Sequence, residues 1–145
     1  MIITGAEGSL PRAWVKLYVD DLAETLAFYR QAFGFVSEHD DGGSSARVVV
    51  GKDALHFTDV SAIEELDLPD VEAPLTSIPQ GSEVVLAIEI TDIEQTYGLA
   101  TQSGGLPVRS PHDEANGARV AFLRDPNGFL IRLCRPAPSP LSHAP

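Results

Sequence analysis

The chain has 145 residues, 43% of them hydrophobic, which is enough for one ordinary domain or two small modules sharing a core. Its formal charge of −11, from 10 basic and 21 acidic residues, works against nucleic acid as a partner, because that binding relies on clustered Lys and Arg to neutralise phosphates. No apolar run approaches the roughly 20 residues of a membrane span, Met1-Ile-Ile-Thr-Gly5 lacks the basic and apolar regions of a secretory signal, and the single Cys134 excludes an internal disulfide; no membrane role and a cytoplasmic location are expected.

After a short lead-in, Val15, Leu17 and Val19 alternate with Trp14, Lys16 and Tyr18, the pattern of a half-buried strand. Asp20-Asp21 ends it and supplies a cap. From Leu22 to Phe33 the residues Leu22, Leu26, Tyr29 and Phe33 recur at helical spacing, and Gly34 provides the stop. Residues 35–39 and 46–50 read as strands around Asp40-Asp-Gly-Gly-Ser-Ser45, and 54–58 as a further strand. This first module, residues 12–59, is β-α-β-β-β.

Residues 60–81 carry five acidic residues, no lysine or arginine, and Pro69, Pro74 and Pro79, the composition of a linker with one short helix at 61–66. Alternation then resumes at Val84, Leu86, Ile88 and Ile90. Thr91-Asp92 opens a helix that runs to about Ser103, and Gly104-Gly105 closes it. Residues 106–109, 118–124 and 129–135 complete a second β-α-β-β-β module within 82–135, and the proline-rich residues 136–145 read as a disordered tail. Asp125-Pro-Asn-Gly128 has the chemistry of a tight turn between the last two strands: proline presets φ, and Asn and Gly tolerate the corner.

The repetition extends to residues. Asp21-Leu-Ala-Glu-Thr25 matches Asp92-Ile-Glu-Gln-Thr96 and Gly34-Phe-Val36 matches Gly105-Leu-Pro107, both at an offset of 71 residues, while Ala46-Arg-Val48 matches Ala118-Arg-Val120 one residue further out. Such a series indicates internal duplication.

Tyr18-Val-Asp-Asp-Leu-Ala-Glu-Thr-Leu-Ala-Phe-Tyr-Arg-Gln-Ala-Phe-Gly-Phe35, together with Phe122-Leu-Arg-Asp-Pro-Asn-Gly-Phe-Leu-Ile-Arg-Leu133, resembles the vicinal oxygen chelate superfamily, which includes glyoxalase I, extradiol dioxygenases, thiol transferases and bleomycin-resistance proteins. The resemblance implies an α+β fold of paired βαβββ modules that form a cleft, assembled as a homodimer. It also implies, for the enzymes, a divalent metal held by His, Glu or Gln on the first and last strands of each module. The positions that resemble those ligand sites are Trp14, His56, Val85 and Arg132, and only His56 can donate to a metal; no metal or other cofactor is expected.

The same cleft face instead carries Trp14, Lys16, Tyr18, His56, Val85, Glu89 and Arg132, an aromatic floor with a few polar groups, suited to a small organic molecule held by stacking and hydrogen bonds. Each has a plainer reading: packing for Trp14, a hydrogen-bonded pocket residue for His56, and an ion pair with Glu89 for Arg132. Two functional readings follow. One is a binding protein for a small, antibiotic-type molecule, resembling the bleomycin-resistance branch. The alternative is an enzyme of the same fold, a lyase, isomerase or dioxygenase-like member, with His56 and Arg132 as catalytic candidates or with a non-standard metal site.

Overall fold

In a computed structural model, which describes residues 11, 13–39, 44–60 and 84–138, alternation and capping build each module. Lys16–Val19 forms β1, with Leu17 and Val19 buried in the same cluster as Leu22, Leu26 and Tyr29 of helix α1, Leu22–Phe33. The carboxylate of Asp21 accepts the Glu24 N–H at 3.0 Å and so satisfies a backbone donor that the first turn leaves open. At the other end Gly34 takes a left-handed φ of 74° and donates its N–H to the Arg30 carbonyl at 2.8 Å. Strands β2 (Val36–His39), β3 (Ser45–Val50) and β4 (Asp53–Asp59) complete a sheet of order β1-β4-β3-β2, parallel only at β1–β4.

The second module repeats this plan with β5 (Val85–Glu89), α2 (Ile93–Gln102), β6 (Leu106–Asp113), β7 (Arg119–Arg124) and β8 (Leu130–Arg135). Its order is β5-β8-β7-β6, again parallel only at the β5–β8 pair, and Asp92 caps α2 by accepting the Gln95 N–H at 3.1 Å. The fold is therefore α+β, two four-stranded sheets each crossed by one helix, as the residue pattern predicts. Among the described residues no helix is long and apolar enough to cross a membrane. The linker with its expected helix at 61–66, and the tail beyond 138, lie outside the described residues.

Two details differ from the sequence reading. Strand β6 runs to Asp113 rather than stopping at 109, because it occupies a sheet edge where Pro107 and Pro111 break no inner ladder; its pairing with β7 shifts register on both sides of Arg109. The register also replaces one of the residue matches. Ala46 pairs with Phe57 and Ala121 with Leu133, as Leu17 pairs with Phe57 and Ile88 with Leu133, so the equivalent of Ala46-Arg-Val48 is Ala121-Phe-Leu123 and not Ala118-Arg-Val120. Arg47 bonds only Glu38 on its own sheet among the described residues, whereas Arg119 bonds both Asp113 of the neighbouring β6 and Glu94 of α2.

One buried cluster spans both modules, from Leu17, Phe28 and Phe57 to Ile93, Leu123 and Leu133. A polar lock sits beside it. Tyr29 of α1 donates its hydroxyl proton to Asp125 Oδ2 at 2.8 Å, and Asn127 Nδ2 donates to Thr25 Oγ1 at 2.9 Å, so the β7–β8 turn of one module is fastened to the helix of the other. Asp125 and Tyr29 are fully buried. Burial pushes the Asp125 carboxyl above the usual carboxylate range, against the hydrogen bonds from Tyr29, Phe129 and Asn127 that favour its charge. Burial, with the neighbouring Asp125, likewise raises the Tyr29 phenol.

Candidate functional site

In each sheet one set of alternate residues packs on the helices and the other faces away, and this open face carries the candidate residues. In the first sheet Lys16 pairs with His56, His56 with Arg47 and Arg47 with Glu38, which sets Lys16, His56, Arg47 and Glu38 in one row across four strands. Arg47 closes this row by giving Nη2 to Glu38 Oε2 at 2.5 Å. The Trp14 ring lies beside the His56 ring, centroids 5.7 Å apart and planes tilted by 33°, and Trp14 remains 56% exposed. Next along the strands Tyr18 pairs with Thr58, whose hydroxyl is 3.0 Å from that of Ser45.

A cavity of about 660 Å³ opens beside Trp14 and His56. Its walls come from the start of β1 (Trp14, Val15, Leu17), the β3–β4 hairpin (Arg47, Val49, Lys52, Asp53, Leu55, His56) and the start of β5 (Val84 to Ala87). Of the residues singled out in the sequence, Trp14, His56 and Val85 lie on this lining, while Lys16, Tyr18, Glu89 and Arg132 do not. Lys16 adjoins it through its pairing with His56. The lining also holds Arg47 and Lys52, which sequence reasoning misses: the parity of Arg47, opposite Ala46 and Val48, is a usable signal, but Lys52 is a turn residue to which strand parity does not apply.

The open face of the second sheet carries Val85, Ala87 and Glu89 on β5 and Leu130, Arg132 and Cys134 on β8. The strand parity expected for Glu89 and Arg132 therefore holds, yet the pair does not form. Arg132 pairs in register with Ala87 and gives Nη2 to Glu114 Oε1 at 2.9 Å, reaching toward the β6–β7 turn rather than along β5. Both partners are about one-third exposed, 30% for Arg132 and 34% for Glu114. The guanidinium is thus neutralised by a loop carboxylate. Arg132→Ala should cost roughly 0.5–1 kcal/mol in urea unfolding, the range of a partly exposed pair, and Glu89→Gln essentially nothing. A loss of several kcal/mol on either change would show that the solution pairing differs.

A divalent cation needs several hard or borderline donors converging on one point. The register makes Trp14 and Val85 equivalent, and likewise His56 and Arg132, so the four positions offer one imidazole beside an indole, an isopropyl group and a guanidinium. Among the described residues no group of three or more His, Cys, Asp or Glu could hold a metal ion. The residues at these positions do not fit a divalent metal.

The sequence profile of the Glyoxalase/Bleomycin resistance protein/Dioxygenase superfamily matches residues 12–133. CFP32 of Mycobacterium tuberculosis, a protein whose name assigns it provisionally to the glyoxylases, is 28% identical over 127 residues; the match takes in 86% of this chain and 44% of CFP32, so the chain spans less than half the length of that relative. In structure the chain is similar to a glyoxalase/bleomycin resistance protein/dioxygenase family enzyme from Burkholderia phytofirmans PsJN, with a TM-score of 0.70 at 20% identity over 83% of this chain and 94% of that one. It is also similar to the hypothetical protein SA1046 from S. aureus, with a TM-score of 0.71 at 18% identity over 89% and 96%. At these identities the structural likeness concerns the fold alone.

Proposed function

Because the chain belongs to the Glyoxalase/Bleomycin resistance protein/Dioxygenase superfamily, whose fold serves more than one activity, we propose from the character of its cavity that it binds a small organic molecule and sequesters it. The observation that carries this reading is Trp14, an exposed indole set beside the His56 imidazole at a cavity of about 660 Å³. That volume lies within the range of about 300–1,000 Å³ common to small-molecule sites. Its walls of Val15, Val49, Leu55, Val84 and Val85 can take up apolar surface, and an indole face favours a planar partner through offset stacking. His56 would serve as a hydrogen-bonding group that orients the molecule. The metal-ligand positions hold residues that support binding better than Lewis-acid chemistry.

Trp14 is the only tryptophan of the chain, so intrinsic indole emission reports on this cavity directly. A panel of planar aromatic compounds should include members that change this emission saturably at one molecule per chain. The binding of those members, followed by calorimetry, should be lost in Trp14→Ala while the circular dichroism of the variant matches the parent. Binding that survives in Trp14→Ala, or a panel without one saturable member, would contradict the proposal. So would stoichiometric metal in the purified protein that is lost on His56→Ala.

A further inference from the structure

In a chain of net charge −11, the wall of this cavity is locally basic. Arg47 and Lys52 lie on the lining against a single carboxylate, Asp53. The only two lysines of the chain are Lys52, on the lining, and Lys16, which pairs with His56 beside it. Neighbouring strands lie about 4.8 Å apart, so Lys16, His56 and Arg47 span roughly 10 Å, the length of a small planar molecule. Arg47 gives both Nε, at 3.2 Å, and Nη2, at 2.5 Å, to the same oxygen of Glu38. Among the described residues its Nη1 makes no protein hydrogen bond, so the ion pair fixes the guanidinium while leaving one edge for a ligand. Lys16 and Lys52 have no ion-pair partner among the described residues. The equivalent row of the second sheet reads Ala87, Arg132, Phe122 and Arg109 and holds no lysine, so Lys52 on the lining and Lys16 beside it are particular to the first module.

Resting on the reading of this cavity as a binding site, we infer that its ligand is an aromatic or otherwise planar organic anion, whose acidic group meets Arg47 and Lys52 while its ring lies against Trp14. A carboxylate, phosphate or sulfonate on one end of a flat apolar body has this chemistry. A cation of the same shape would meet like charge on the wall, whatever the acidic surface elsewhere does to draw it in.

The test uses two probes of nearly the same ring system, 8-anilinonaphthalene-1-sulfonate and its uncharged analogue N-phenyl-1-naphthylamine, titrated into the full chain with Trp14 as the energy-transfer donor. The sulfonate should bind about tenfold more tightly, the ratio that 1.4 kcal/mol of added charge contact gives. Arg47→Gln and Lys52→Gln should each weaken the sulfonate by roughly three- to fivefold, the effect of one partly exposed charge contact, and leave the neutral probe unchanged. Arg30→Gln, which makes the same change of net charge on the exposed side of α1, should alter neither. Equal affinity for the two probes, tighter binding of the neutral one, or variants that move both probes alike would overturn the anionic preference while leaving the binding site standing. Transfer from Trp14 to neither probe would remove the binding site together with the inference built on it.

Discussion

Asp125→Ala should unfold about 6–15 °C below the parent chain, a loss of roughly 2–4 kcal/mol. The carboxylate accepts the backbone N–H groups of Asn127 at 2.8 Å and Phe129 at 2.9 Å through Oδ1, and the Tyr29 hydroxyl at 2.8 Å through Oδ2. Alanine leaves all three donors without this acceptor, two of them in the turn that joins β7 to β8 and the third at the core of the other module. Relief of the buried charge offsets part of the loss, which keeps the figure below the sum of three broken bonds. Tyr29→Phe removes one donor and leaves the turn intact, so it should cost about 1–2 kcal/mol.

The same group carries a pH signature. The folded-state Asp125 carboxyl titrates above its ordinary value, chiefly through burial, so its contribution to stability is fully present below that ordinary value and is lost as pH rises through the raised one. Asp125→Asn has nothing to titrate there. The stability difference between parent and Asp125→Asn should therefore shift toward the variant as pH rises above the ordinary carboxylate value of about 4, when both are followed by thermal unfolding. An Asp125→Ala midpoint within about 2 °C of the parent would show that the turn does not depend on the lock.

Two glycines of the second module should respond in opposite directions to alanine. A Cβ at Gly105 would stand 2.6 Å from Leu123 Cδ1 and 2.8 Å from the Ala100 carbonyl oxygen. Leu123 is fully buried, and the Ala100 carbonyl already accepts the N–H groups of Ser103 and Gly105 as α2 ends, so neither neighbour can withdraw freely. Gly105→Ala should cost about 2–3 kcal/mol through overpacking and a disturbed helix end. At Gly98, inside α2, a Cβ meets nothing within 4 Å, and Gly98→Ala should add about 0.5–1 kcal/mol through better helix propensity. Urea midpoints measured on both variants check the pair; a Gly105→Ala midpoint at or above the parent's would mean that the β6 start moves aside without cost.

Which parts of the fold are legible in the residues depends on which interactions are local. Strand alternation, the Asp21 and Asp92 caps and the Gly34 stop each act within four residues, so both helices and the order of elements can be read from the chain, and α1 begins and ends where its periodicity places it. The length of β6 is not legible, because proline stops a strand reading unless the strand is known to be an edge. The face carrying Arg132 is readable from parity, but its partner is not. Glu114 follows the last residue of β6, where parity no longer applies, and a long guanidinium side chain selects among all carboxylates within reach. The buried Asp125 reads in sequence as a turn former alone, since its contact with Tyr29 joins residues 96 positions apart. The cavity is legible in part for the same reason: Trp14, His56 and Val85 follow from strand faces, as the parity of Arg47 on β3 also could, whereas Lys52 enters through the β3–β4 turn, where parity does not apply.

The central claim, that a small molecule occupies the cavity beside Trp14, is tested most directly by mapping amide and indole nitrogen–proton signals while 8-anilinonaphthalene-1-sulfonate is added. One indole signal exists, that of Trp14. The account predicts that this signal shifts saturably together with the backbone signals of residues 13–17, 47–56 and 84–87, which surround the cavity, while those of Arg109, Phe122 and Arg132 on the second sheet stay in place. Shifts centred on Arg109, Phe122 and Arg132, with the Trp14 indole unmoved, would contradict it.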